Sequence, residues 1–370
     1  MESKSRILAT GTMRTGGSLL SNVMCAHSKI FVFGERFHFF RFCYNRYNPL
    51  TEKSVNRLLE HQRLRLLCRF KIDFDVDVVF MSIKKRGLTY PIIFDEGMKF
   101  FLTHCNRSIW GEYTAMQWRD IPAFVQMFPN SRAIHLYRDP RSVLSSWKRL
   151  SFAPSSQYLN PIFNWIDSMN CVKRYSDELS NEKYLPLSYE SIMKDPRQVV
   201  EGLCKFVNVD FEEEMLLPET WHARLPQNML INPRSAHEGQ NIRGFSTSRT
   251  QNWKKNLEEW EIALVEHLCH DLMEEFGYDF YKDKYSISDI KKGFDMLGSD
   301  PLMLQRLSQY LSSGEGSHLY VNDPTDPNSW AAARHDIAGK FTDSEEAEAQ
   351  DYVSGLVKIE ADLKKKYGGE

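Results

Sequence analysis

The chain has 370 residues, 42% of them hydrophobic and 26% charged, and 47 Lys+Arg against 49 Asp+Glu leave a net charge of −2. Such a chain is long enough for one large globular domain or a domain with an appendage, and it has no global basic field pointing to nucleic acid or an acidic membrane. No stretch approaches the ~20 apolar residues of a membrane span, and the seven scattered cysteines (Cys25, Cys43, Cys68, Cys105, Cys171, Cys204, Cys269) form no C-x-x-C pair, so the expectation is a cytosolic protein with buried thiols, no disulfide framework and no metal site.

Along the chain, Ile7 to Thr10 predicts a strand and Leu19 to Met24 the body of a helix. Between them Gly11-Thr12-Met13-Arg14-Thr15-Gly16-Gly17-Ser18 fits the phosphate-cradling pattern G-x-x-x-x-G-K-[ST] at every fixed position except the lysine, which is Gly17. Strand, glycine-rich turn and helix start are the context the pattern requires, because a helix N-terminus offers unpaired N–H groups and a positive dipole end to an anion. Arg14 is the one cation within the loop. The expectation is a nucleotide site that is not an NTPase site.

Phe31-Val32-Phe33-Gly34 is a short apolar run ending at Glu35, and Thr51 to Lys71 reads as an amphipathic helix that serves as a lid or substrate-facing insertion. Pro91 to Phe94 and Ser108 to Trp110 are candidate strands, Ile121 to Met127 a helix, and Arg132 to Tyr137 a strand. Helices follow at Arg141 to Arg149 and about Pro161 to Leu179, then a strand at Tyr184 to Leu187 and helices at Pro196 to Val207 and Trp260 to Phe276. That order predicts an α/β fold, a central parallel sheet flanked by helices on both faces, with ligands beyond the carboxyl ends of the strands. After about Ser286 the sequence turns turn-rich, including Asn322 to Asn328, and ends in a charged helix candidate from Ser344 to Tyr367. Residues 1–285 are therefore read as the main domain and 286–370 as a mostly helical C-terminal extension.

The strand ending at Tyr137 runs into Arg138-Asp139-Pro140-Arg141, and Ser146 lies on the helix beyond. An aspartate at that strand end would hold Mg²⁺; an arginine suits a further phosphate. Arg138 has a second reading, an ion pair with Asp139 or another carboxylate. Two anion sites beside parallel strands point to a nucleotide with phosphates at both ends of its ribose.

With both motifs in view, the chain resembles the sulfotransferases that use 3′-phosphoadenosine 5′-phosphosulfate (PAPS). Gly11 to Leu19 is similar to that family's 5′-phosphosulfate loop, and Arg138 to Ser146, with serine eight residues after arginine, to its 3′-phosphate motif. Leu185 to Pro196 resembles its strand, tyrosine-glutamate and helix-start segment, and Arg249-Thr250-Gln251-Asn252-Trp253-Lys254-Lys255-Asn256-Leu257 its C-terminal basic segment, so the likeness runs from about Arg6 to Tyr278. It departs at Met13, where proline is usual, at Gly17, where threonine or serine is usual, and in the missing lysine-threonine-histidine element, whose nearest counterpart is Gly111 to Ala115. The chain thus looks more like the bacterial and carbohydrate-type branch.

The resemblance implies a P-loop-like sulfotransferase fold and PAPS as donor, with 3′-phosphoadenosine 5′-phosphate (PAP) as product and a small-molecule or glycan acceptor. It implies Arg14, Thr15, Gly16, Gly17, Ser18 and Leu19 at the 5′ end, and Arg138 and Ser146, helped by Arg243 or Arg249, at the 3′-phosphate. It favours Glu35 as general base, whose apolar neighbours raise its pKa; its other reading is an ion pair with Arg36. His38 is the second candidate base or a packed histidine; His104 and His135 read as core; Glu112 reads as a substrate-orienting group or a surface carboxylate. Phe37, Phe39, Phe40 and Trp110 offer stacking to an acceptor or fill the core. The competing functions are a divergent P-loop kinase or NTPase and a non-catalytic nucleotide-binding scaffold.

Overall fold

The computed structural model describes residues 5–148, 155–221, 244–319 and 343–368. The first half of the chain runs β1 (Arg6–Gly11), α1 (Gly17–Ala26), β2 (Ile30–Gly34), α2 (Phe39–Phe42), α3 (Glu52–Phe70), α4 (Val76–Arg86), α5 (Tyr90–Cys105) and β3 (Ile109–Tyr113). Next come α6 (Ile121–Met127), β4 (Ser131–Tyr137), α7 (Pro140–Lys148), α8 (Pro161–Glu178), β5 (Tyr184–Ser188), α9 (Tyr189–Lys194) and α10 (Pro196–Val207). The chain then forms α11 (Trp253–Asn256), α12 (Glu259–Leu268), α13 (His270–Glu275), α14 (Ile287–Gly298), α15 (Pro301–Ser313) and α16 (Asp343–Tyr367).

The five strands form one sheet in the order β2-β3-β1-β4-β5 with every pairing parallel. β1, β2 and β3 are nearly or wholly buried along their lengths, as strands covered by helices on both faces must be. From β1 the chain crosses to β2 on one side, and from β4 to β5 on the other. The strand order therefore reverses at β1, and its carboxyl end, where the glycine loop lies, is the switch point at which such sheets bind ligands.

Most elements fall where the hydrophobic pattern places them, and the exceptions have physical causes. Pro91 to Phe94 is not a strand but the first turn of α5, with Pro91 at a helix start that tolerates it. The buried residues Tyr90, Ile93, Phe94, Met98, Phe101 and Leu102 recur at helical spacing, which a four-residue apolar run cannot reveal. The strand beside β3 is instead Ile30–Gly34. The helix predicted over Trp260 to Phe276 is interrupted at Cys269, where α12 gives way to α13.

α3 is pinned at its start by a reciprocal capping box between Thr51 and Ser54. It is no detached lid: Val55, Leu58, Leu59 and Leu66 are buried in the main core. A second core joins α7, α8 and α12 to Leu297 of α14 and Met303 and Leu307 of α15, while α16 packs along α3 with Gly355 against Leu64. Six of the seven cysteines are buried thiols and Cys105 is half-buried. No helix among the described residues is long and apolar enough to cross a membrane.

Candidate active site

The loop after β1 is closed from within. Thr15 is fully buried, and its hydroxyl donates to the Thr12 carbonyl at 2.7 Å, so its side chain is tied up within the loop. Gly16 caps α1 at φ 100, a left-handed conformation suited to glycine, and no side chain caps the helix. The first intrahelical bond of α1 is Leu20 N–H to the Gly16 carbonyl at 3.0 Å, so the N–H groups of Gly17, Ser18 and Leu19 precede the ladder. The Leu19 side chain turns the other way, onto the core.

Two tyrosines lie against the two glycines. A Cβ on Gly16 would come within 2.5 Å of the Tyr189 ring, and a Cβ on Gly17 within 1.6 Å of Cζ and 2.0 Å of the hydroxyl of Tyr113. The side chain that a P-loop NTPase needs at position 17, a lysine, thus has no room beside Tyr113. Sequence reasoning passed over Tyr113; the signal was the paired glycines, though nothing local names the partner.

Arg138, at the end of β4, donates from Nη1 to the Arg14 carbonyl at 3.1 Å and from Nη2 to the Arg249 carbonyl at 3.2 Å. Its guanidinium lies 4.1 Å from the centre of the Tyr189 ring, and its buried Nε has no hydrogen-bond partner. Asp139 pairs with Arg141 rather than with Arg138, at 2.7 Å, and Arg141 also pairs with Glu266 on α12. The ion-pair reading of Arg138 with Asp139 therefore does not hold. Arg14 has φ 73 and donates from Nε to the Ser146 hydroxyl at 2.9 Å, which joins the residues expected at the two ends of the nucleotide. Arg249 approaches through its carbonyl, and its side chain is half-exposed. Arg243 lies outside the described residues, as do Asn322 to Asn328 and the His104 side chain.

On the opposite side of the loop, β2 ends at Gly34 and Glu35 takes a left-handed turn at φ 51. Its N–H donates to the Tyr113 carbonyl at 2.8 Å, and its carboxylate accepts from the Ala115 N–H at 3.0 Å. The Glu35 side chain keeps 25% of its surface exposed. Burial pushes its pKa up to about 7, against the opposing pull of the Ala115 amide, the Arg41 charge, the Tyr113 hydroxyl bond and the Arg14 charge.

His38 is wholly buried behind Glu35, with Nε2 3.6 Å from its carboxylate and Nδ1 2.7 Å from the Thr114 hydroxyl. Burial holds its pKa well below the usual histidine range, so it is neutral. Glu112 is no surface carboxylate: it is fully buried beneath the turn, takes the Phe39 N–H at 3.3 Å, and burial raises its pKa to about 8. The turn is held from α3, where Gln62 and Arg65 donate to the Phe37 carbonyl and Arg65 also to that of Arg36. Phe37, Phe39, Phe40 and Trp110 are 6% exposed or less and stack around Phe94 in the core, not along the cleft. His135 is buried too, bonded to the Tyr184 and Ser168 hydroxyls at 3.0 and 2.8 Å.

The parallel 2-3-1-4-5 sheet and the loop from β1 into α1 define a P-loop-like α/β protein. Residues 6–213 match the model of the Sulfotransferase family, and the chain belongs to that family. It is 28% identical over 110 residues to Sulfotransferase 2A1 of Macaca fascicularis, an alignment covering 25% of this chain and 39% of that relative's length. Two solved structures share the fold at 18% identity: the sulfotransferase domain from the curacin biosynthetic pathway, with TM-score 0.53, 76% of this chain and 100% of that domain covered, and the sulfotransferase domain from the Synechococcus PCC 7002 olefin synthase, with TM-score 0.50 and coverages of 75% and 98%.

Proposed function

We propose that the protein transfers the sulfuryl group of PAPS to the hydroxyl of a small-molecule or carbohydrate acceptor and releases PAP. The observation that carries this reading is the pairing of a helix N-terminus without room for the P-loop lysine with a partly exposed carboxylate, Glu35, held by the Ala115 N–H at the end of β2 and with its pKa pushed by burial up to about 7. The residues fit a nucleotide phosphorylated at both ends. The uncapped start of α1 suits the 5′ end, and the buried, unpartnered Nε of Arg138, whose Nη1 bonds the carbonyl of Arg14, together with the Arg14–Ser146 pair suits the 3′-phosphate.

PAPS, when bound, supplies an activated sulfur whose bond to the phosphate oxygen breaks. Glu35 takes the proton of the acceptor hydroxyl as that oxygen bonds to sulfur, and the electron pair of the broken S–O bond stays on the phosphate. His38, neutral and buried, acts through Glu35 by fixing its turn. The N–H groups of Gly17, Ser18 and Leu19, with Arg14, stabilise the charge that collects on the phosphate oxygen. Arg138, Ser146 and Arg249 orient the 3′ end, so chemistry rests on positioning and electrostatics.

Calorimetric titration of the protein with PAP in EDTA, beside ATP with Mg²⁺, tests this reading. Tight, metal-independent PAP binding with weak ATP binding is expected. Mg²⁺-dependent ATP binding without PAP binding would instead support a kinase or NTPase.

A further inference from the structure

Alternation along β3 sends Tyr113 to the α1 side of the sheet, while Trp110 and Glu112, two residues apart, lie on the α5 side. The ring of Tyr113 is 4% exposed, and its far end, Cζ and the hydroxyl, is what reaches Gly17, the first residue of α1. The same hydroxyl faces the Glu35 carboxylate closely enough to pull its pKa down, and the Glu35 N–H donates to the Tyr113 carbonyl at 2.8 Å. One phenol therefore spans the gap between the start of the anion-binding helix and the carboxylate at the end of β2. It does so only because residue 17 has no side chain.

We propose that Tyr113 is a donor-binding catalytic residue: its hydroxyl enters the phosphosulfate site over Gly17 and takes the place of the side chain that the loop lacks there. The inference rests on the PAPS reading above and adds a residue to it. In the ligand-free protein the O–H is directed to the Glu35 carboxylate. Once Glu35 accepts the acceptor's proton, the carboxyl group is a poorer acceptor, and the O–H turns to the phosphate oxygen that is gaining the electron pair of the broken S–O bond. The phenol keeps its own proton throughout, so one proton moves from acceptor to Glu35 and none is lost from Tyr113. Gly17 and Tyr113 are in this sense one device: a residue with a side chain at 17 displaces the hydroxyl that substitutes for it.

The test uses Tyr113→Phe, which keeps the ring against Gly17, and Gly17→Ala, which keeps the hydroxyl but places a Cβ within 2.0 Å of it. PAP affinity is measured by calorimetry, and the titration of Glu35 by carboxyl ¹³C NMR in the ligand-free protein. Below pH about 7, where Glu35 carries the proton as it does after transfer, the hydroxyl turns to the phosphate; a hydrogen bond to a charged phosphate contributes about 1.5–3 kcal/mol, so at pH 6 both variants are expected to bind PAP at least ~10-fold more weakly. In Tyr113→Phe the lost bond to the carboxylate moves the Glu35 titration upward from about 7. Unchanged PAP affinity and an unchanged Glu35 titration in a folded Tyr113→Phe protein would overturn the inference and leave the PAPS reading standing. Wild-type protein that binds no PAP would overturn both.

Discussion

Asp95 and Glu35 sit at opposite ends of the same sheet, and their surroundings make different groups of them. At the amino end, the Asp95 carboxylate receives Arg6 Nε at 2.6 Å, Lys99 Nζ at 2.7 Å, Arg86 Nη1 at 2.8 Å and the Trp110 indole at 3.0 Å. Burial alone would raise its pKa, yet the bonds from Arg6, Lys99 and Arg86 outweigh it and hold the group well below the usual carboxylate range. At the carboxyl end, burial wins over the donors around Glu35 and brings its pKa to about 7. Asp95 is ionised at every working pH and ties α5 to β1 and β3. A carboxyl group whose pKa is pushed up to about 7 lies in the range in which the general base proposed here is most useful.

The largest expected effect falls on the second of these. Glu35→Gln should lower transfer of a radiolabelled sulfuryl group from PAPS into a panel of phenols, alcohols and sugars by ~10²–10⁴-fold, with PAP affinity retained. In the proposed mechanism the carboxylate is the active form, so wild-type activity should rise through pH about 7 and level off above it. Stability runs in the opposite sense. A carboxyl group whose pKa is raised by folding contributes stability below its unfolded value, and loses that contribution as pH rises through the folded value. Glu35→Gln should therefore not lower the thermal midpoint at pH 8. A variant that loses stability there would make Glu35 a structural group like Asp95.

Asp95→Asn tests the other end, with an intermediate effect. It leaves Arg6 beside a neutral partner in a site where Asp95 is 4% exposed, while Arg86 and Lys99 are exposed enough to find water. A loss of about 2–3 kcal/mol is expected in urea unfolding at pH 7, with PAP affinity unchanged. Since folding depresses this pKa, its contribution is present above the unfolded value of 3.8 and fades as pH falls below it. The gap between variant and wild type should close in acid. Weaker PAP binding in a folded variant would show that the two ends of the sheet are coupled.

What could be read from the sequence divides along similar lines. The glycine loop, the Arg138 strand end and the Glu35 turn are local patterns, in which a few adjacent residues state both conformation and charge. The contacts that give them their chemistry are not local. Tyr113 meets Gly17 across 96 positions, and the Phe37 carbonyl meets Arg65 across 28. Glu112 looks like any glutamate in a strand, and its full burial follows only from α3 and α5 closing over it. Pro91 to Phe94 misleads because a short, wholly apolar run satisfies strand and helix alike, and the arbiter is the spacing of Met98, Phe101 and Leu102 beyond it. Ser146 was legible as a helix residue but not as the partner of Arg14.

The smallest effect is expected where α16 meets α3, one layer removed from the Glu35 turn. Glu360 accepts from Arg57 Nε at 2.6 Å and lies 2.9 Å from His61 Nε2, but Arg57 and Glu360 are 49% and 44% exposed. An ion pair so open to water is worth ~0–1 kcal/mol and weakens with salt. The helices are also joined by the Arg69–Glu348 pair, 3.0 Å apart with both partners 9% exposed or less, and by Gly355 against Leu64. Glu360→Ala should thus lower stability by less than about 1 kcal/mol in urea unfolding, with the difference shrinking at high salt. The face of α3 that grips the carbonyls of Arg36 and Phe37 carries Gln62 and Arg65, both buried, and does not depend on that pair. The pH midpoint of activity should therefore stay where Glu35 sets it. A shifted midpoint in Glu360→Ala would mean that α16, through α3, helps to set the environment of the carboxylate.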